Sequence, residues 1–217
     1  MASESYGGGP ACMRWFADND ILLKLASYDL LDETLRALEC TRRSIYVLRS
    51  APYFFRRSGK LIQRGTSPTA ILKAGKFSKD CLTVPNPSAS VLSRFQATTL
   101  IDPGEAILFA AGSADRNVRL LTDDKRALRG LYQCQELYDI YKALSGRCIS
   151  LCVLLNKIIQ KGDFDSIRQK IRRGKPCDMA IDGVFAASAL TEQKALASIQ
   201  LQIDNLKKLT GSLLGSL

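Results

Sequence analysis

From Met13 onward the first apolar residues form an unbroken block, Trp15-Phe16-Ala17, which stops at Asp18-Asn19-Asp20. A short apolar run closed by turn-forming polar residues predicts a buried strand over 14–17. Leu22, Leu25, Ala26, Leu30, Leu35 and Leu38 then recur at three- and four-residue steps, which predicts one or two helices up to Ala37. In Asp102-Pro103-Gly104-Glu105 a capping residue, a proline at the first helical position and an acid three residues after the cap predict a helix from Pro103 to about Ala111. Residues 117–121 read as a second strand, closed by Thr122-Asp123-Asp124, and a helix starts at Lys125. Further helices are expected over 88–97, 139–144, up to Ile159, over 166–173 and over 191–208, with another strand at 147–151. Between these, 42–79 reads as an early helical part followed by loops at Gly59, Gly65, Pro68 and Gly75. Strands alternating with helices imply an α/β fold: a three-layer α/β/α arrangement around a mostly parallel central sheet, with extra C-terminal helices. The expected organisation is a flexible leader over 1–12, a main domain over 13–155 and a helical extension over 156–217.

Composition narrows the function classes. The chain has 217 residues, 46% of them apolar and 24% charged, enough to bury a real core. No run reaches the roughly 18–20 apolar residues of a membrane span. Histidine is absent, which removes Ser-His-Asp and Cys-His hydrolases, His-ligated zinc and histidine-based ribonucleases. The seven cysteines are odd in number and contain no CxxC pair, so they are expected to be reduced, mostly buried thiols in a cytoplasmic protein. The start MASESYGGGPAC lacks the pattern of a secretory signal. The end LKKLTGSLLGSL is expected to be a docked or fraying terminus.

Acids recur at the ends of the expected strands. Asp18 and Asp20 follow the first strand, Asp123 and Asp124 the later one, and Glu105 lies in the first turn of its own helix. In an open parallel sheet the carboxyl ends of the strands share one edge, so these acids tend to converge. Converging carboxylates without His or Cys suit Mg²⁺ or Mn²⁺, which activates water and clamps a phosphate oxygen. The plainer alternative is that acids at helix starts only cap free N–H groups and meet the helix dipole.

Net charge is +10. Residues 42–79 carry ten bases and no acid, among them Arg42, Arg43, Arg49, Arg56, Arg57, Lys60 and Arg64, interleaved with Tyr46, Tyr53, Phe54, Phe55 and Phe77. Such a stretch can hold a phosphate backbone and stack bases, or it can be a solvated face with its aromatics in the core. A second basic run from Lys157 to Lys175 is diluted by Asp163 and Asp165 and reads as a solvated helix.

The ordered strings FADNDILLKL, DPGEAILFA and RLLTDDKRAL resemble the PIN domain, a family of metal-dependent nucleases. The resemblance covers roughly 13–155, with 42–100 matching only in outline. It implies Asp18, Glu105 and Asp124 as metal ligands and catalytic residues. Asp123 joins them as a further ligand, and Asp20 is an extra acid near the metal. Asp115 is the one acid available where many members carry another Asp. By the same resemblance the activity is endonucleolytic hydrolysis of phosphodiesters, leaving 5′-phosphate and 3′-hydroxyl ends. The expected substrate is single-stranded RNA rather than DNA. A toxin-like or defence role with an antitoxin or other protein partner is compatible with it, as is a homodimer. Two other readings stay open. Asp18-Asn19-Asp20 also resembles the nucleophile motif of haloacid-dehalogenase-type phosphatases, which would need a lysine such as Lys73 or Lys76. The chain could equally be a non-catalytic nucleic-acid-binding protein of this fold.

Overall fold

Every strand of the central sheet runs in the same direction. In chain order the elements are β1 (Arg14–Ala17), α1 (Asn19–Ser27), α2 (Leu31–Ala37), β2 (Ile45–Val47), α3 (Ala51–Arg56), α4 (Gly59–Gln63), α5 (Pro68–Lys79), β3 (Leu82–Thr83), α6 (Ala89–Arg94), α7 (Pro103–Ser113), β4 (Val118–Leu121), α8 (Lys125–Gln133), α9 (Tyr138–Ala143), β5 (Cys148–Ile149), α10 (Leu151–Lys161), α11 (Phe164–Arg173), α12 (Met179–Ala186) and α13 (Glu192–Thr210). They come from a computed structural model that describes residues 13–57, 59–63 and 65–217. The expected leader over 1–12 lies outside the described residues. Strand order is β3-β2-β1-β4-β5. Ala17 stands beside Val47 on one side and Leu121 on the other.

Both faces of the sheet are covered, as the unbroken apolar runs in β1 and β4 require. Successive side chains alternate between faces. Trp15, Ala17 and Leu121 join one core cluster, Phe16 and Leu120 the other. The first cluster includes Ile21, Leu22 and Leu25 of α1, Phe77 of α5 and Leu154 of α10. The second includes Leu108 and Phe109 of α7 and Leu128 of α8. This is a three-layer α/β/α fold.

Residues 156–217 do not stand apart. Ile158, Ile167, Ile171, Ile181, Phe185, Ile199 and Ile203 belong to the same cluster as Trp15. The terminus is docked: the Cys148 N–H donates to the Leu213 carbonyl (3.0 Å) and the Gly215 N–H to the Cys148 carbonyl (2.9 Å), beside β5.

The stretch expected to be loops after Gly59 instead holds α4 and α5. Pro68 starts α5 and Ala70, Ile71, Ala74 and Phe77 supply a buried helical stripe. Gly75 does not break this helix. A Cβ there would lie 3.2 Å from Phe55 Cβ, so glycine lets α3 and α5 touch. β2, β3 and α12 were not expected from sequence. The strand expected over 147–151 is confined to Cys148–Ile149. Of the described cysteines only Cys148 and Cys152 are buried, so the expectation of mostly buried thiols does not hold. Among the described residues no helix is long and apolar enough to cross a membrane.

Candidate active site

The chain leaves β1 toward β2 on one side and later returns to place β4 on the other. β1 and β4 therefore flank the point where the winding reverses, where a crevice opens at the strands' carboxyl ends. Asp18 follows β1 directly. Its N–H donates to the Leu121 carbonyl (2.9 Å), which ties it to the end of β4. Its carboxylate caps α1, accepting from the Asn19 N–H (2.6 Å). Asp124 caps α8, accepting from the Ala127 N–H (2.9 Å). Glu105 forms a capping box on α7: Asp102 Oδ1 accepts from the Glu105 N–H (2.9 Å) and Glu105 Oε2 accepts from the Asp102 N–H (2.7 Å). Each acid is thus a helix cap, as the plainer alternative holds. Capping engages one oxygen of each.

These caps also feel one another. Burial, then repulsion from Asp20, Asp102 and Asp124, pushes the Asp18 carboxyl up to about 7 against the pull of the Asn19 N–H. Burial and a hydrogen bond to Asp124 push Glu105 up to about 9. Burial alone would raise Asp124, but the same bond to Glu105, the Ala127 N–H and Arg126 outweigh it and hold that carboxyl below the usual range. Within this pair Glu105 is the carboxyl pushed up and Asp124 the one held down. Asp102, read from sequence only as a cap, is a fourth member of this cup; its capping motif was the one available signal.

Asp123 is not a member. Its Oδ2 accepts from Lys24 Nζ (2.7 Å) and its Oδ1 from the Leu151 N–H (3.2 Å), so both oxygens are engaged. Grouping Asp123 with Asp124 as ligands of one ion does not match this geometry: Asp123 belongs to the salt bridge with Lys24. Asp20 is half exposed and also reaches Lys24 Nζ (3.0 Å), while its charge still acts on Asp18. Asp115 pairs with Arg14, before the start of β4 and away from the carboxyl edge.

The donor set is of the kind a hard divalent cation takes: oxygen ligands only, each carboxylate anchored by a backbone N–H. Among the described residues no three His, Cys, Asp or Glu side chains are grouped closely enough to mark a metal site. Ligating carboxylates must be ionised, so a cation here would work against the upward push on Glu105.

The basic stretch divides. Arg42 is spent on Asp80 (2.7 Å) and Asp32 (3.6 Å) and covers the Phe77 ring. Arg43, Arg49, Arg56, Arg57 and Lys60 are exposed, and among the described residues none has an acidic partner within ion-pair distance. Arg64 lies outside the described residues. The aromatics divide too: Phe55 and Phe77 are core, whereas Tyr53 and Phe54 are exposed, with Arg56 5.2 Å over the Tyr53 ring. Leu48, just beyond β2, packs against Gly104, where a Cβ would come within 3.0 Å of it. The chain that leads into α3 therefore starts beside the N-terminus of α7, next to the cup.

In the second basic run Lys161 pairs with Glu39 (2.5 Å) and Lys170 with Glu33 (2.7 Å). Lys73 is held by Asp29 (2.5 Å) and Lys76 is exposed. Comparison of the chain with protein-family models, with curated proteins and with solved structures found no significant match.

Proposed function

We propose that the protein is a divalent-metal-dependent endonuclease of PIN type, acting on single-stranded RNA. The observation that carries this reading is the approach of Asp18, Glu105 and Asp124 to one another at the reversal point of the sheet, the first two buried and Asp124 half-buried, beside a base-rich surface. Asp18, Glu105 and Asp124 would hold Mg²⁺ or Mn²⁺, which supplies an activated water and screens a scissile phosphate. Arg49, Arg56, Arg57 and Lys60 hold the phosphate backbone, and Tyr53 and Phe54 offer faces on which unpaired bases stack. Single strands suit this surface, because bases in a duplex are already stacked on each other. Asp102 holds the Glu105 end of the cup through the capping box. The phosphatase reading leaves Glu105 without a role, and of its two candidate lysines Lys73 is taken by Asp29.

The test is incubation of purified protein with end-labelled single-stranded RNA, single-stranded DNA and duplexes, in Mn²⁺, Mg²⁺ or EDTA. Internal cleavage of RNA with metal, abolished by EDTA, is the expected result. Metal-independent binding without cleavage would replace this reading with that of a non-catalytic binder.

A further inference from the structure

Beside the cup lies a second carboxylate group that the proposed chemistry does not use. Lys24 Nζ reaches Asp123 at 2.7 Å, Asp20 at 3.0 Å and Asp178 at 3.1 Å. The side chain of Lys24 is 14% exposed, that of Asp123 2% and that of Asp178 9%. Three elements meet here: α1 supplies Lys24, the end of β4 supplies Asp123, and the turn before α12 supplies Asp178.

Each member is held in place. Asp178 caps α12, its Oδ1 accepting from the Ala180 and Ile181 N–H groups (3.1 and 3.2 Å). Its own N–H donates to Asp182, which also accepts from Tyr28 OH (2.7 Å). Gly174 lets this turn press on the end of α1: a Cβ there would come within 2.6 Å of the Ser27 carbonyl. Burial pushes Lys24 toward its neutral form, but Asp123, Asp20 and Asp178 outweigh it and hold its ammonium above the usual lysine range.

We propose that Lys24 is a positioning residue whose ammonium serves as the resident cation for Asp20, Asp123 and Asp178, and so limits the site to one divalent ion at Asp18, Glu105 and Asp124. This rests on the metal-dependent reading above. Without the lysine charge, Asp123 and its two acidic neighbours would form a second oxygen cluster adjacent to the first. With it, Asp123 is neutralised and its oxygens are committed. The helical extension expected over 156–217 then completes the neighbourhood of the site through Asp178.

The test is Mn²⁺ titration of the metal-free full-length chain, followed by calorimetry and by the electron paramagnetic resonance of free Mn²⁺. Wild type is expected to bind one ion, Lys24→Arg one, and Lys24→Met two. Should Lys24→Met fail to fold, Asp123→Asn decides: it retains the acceptor for the Leu151 N–H and is expected to bind one ion with affinity within a few-fold of wild type. Two ions in wild type, one ion in folded Lys24→Met, or a loss beyond about tenfold in Asp123→Asn, the scale of an outer metal partner, would each overturn the inference while leaving metal dependence intact. No ion bound by wild type would overturn the metal-dependent reading itself and this inference with it.

Discussion

Two groups of carboxylates sit side by side at the carboxyl edge of one sheet, and they are balanced in opposite ways. Around Lys24, three acids share an ammonium, and the spare oxygens of Asp123 and Asp178 accept backbone N–H groups. In the cup of Asp18, Glu105, Asp124 and Asp102 no lysine or arginine among the described residues is comparably placed. Arg126 approaches Asp124 only to 3.9 Å, and burial with the neighbouring acids pushes the Glu105 carboxyl up to about 9. Buried acids that share a resident ammonium hold structure together. Buried charge left in excess costs stability and persists where something outside the chain is meant to neutralise it.

Replacing single members should separate the two groups. Asp18→Asn removes repulsion and keeps the acceptor for the Asn19 N–H. Cleavage should fall by more than the ~10–100-fold typical of an outer metal partner, with no drop in melting temperature. Activity near wild type in that variant would take Asp18 out of the mechanism. Lys24→Met does the reverse. It strands buried carboxylates and should cost about 3–5 kcal/mol in denaturant unfolding of the metal-free protein. A cost under 1 kcal/mol would place the Lys24 group with weak surface pairs.

Charge on the outer surface gives an intermediate effect. Arg56, Arg57 and Lys60 changed together to Ala should lower the slope of log affinity against log salt by about 2, at ~0.7 per phosphate contact for single strands. An unchanged slope would show that α3 faces away from the substrate.

The smallest effect is on pH. Asp18 and Glu105 have carboxyls raised in the folded chain, so the stability they contribute is complete below their unfolded values and is lost as pH rises through about 7 and about 9. Asp124, held low, acts in the opposite sense and only in acid. The metal-free melting temperature should therefore decline between pH 5 and pH 9 (a range set by those shifts), and Mn²⁺ should restore most at the alkaline end. A flat profile would mean that the cup is solvated and its charges screened.

The cup was legible in the sequence because its members are helix caps at strand ends, where local signals are strongest. Asp18, Glu105 and Asp124 each carry such a signal. Asp123 and Asp124 could not be told apart, because neighbouring carboxylates look alike in sequence while only the fold decides which side of the chain each one serves. The Lys24–Asp178 pair left no trace, being separated by 154 positions with no pattern between them. β2 and β3 are three and two residues long, too short to show alternation. α5 was hidden by glycine, which marks loops far more often than a crossing of two helices.

The docked tail has a consequence for how the molecule behaves in bulk. Leu213 and Gly215 occupy the N–H and carbonyl of Cys148 that β5 would otherwise turn outward. Without them the sheet would present a bare hydrogen-bonding margin, able to recruit a strand from another molecule. Removing those few residues would open that margin to pairing between molecules, with the carboxylate edge left untouched.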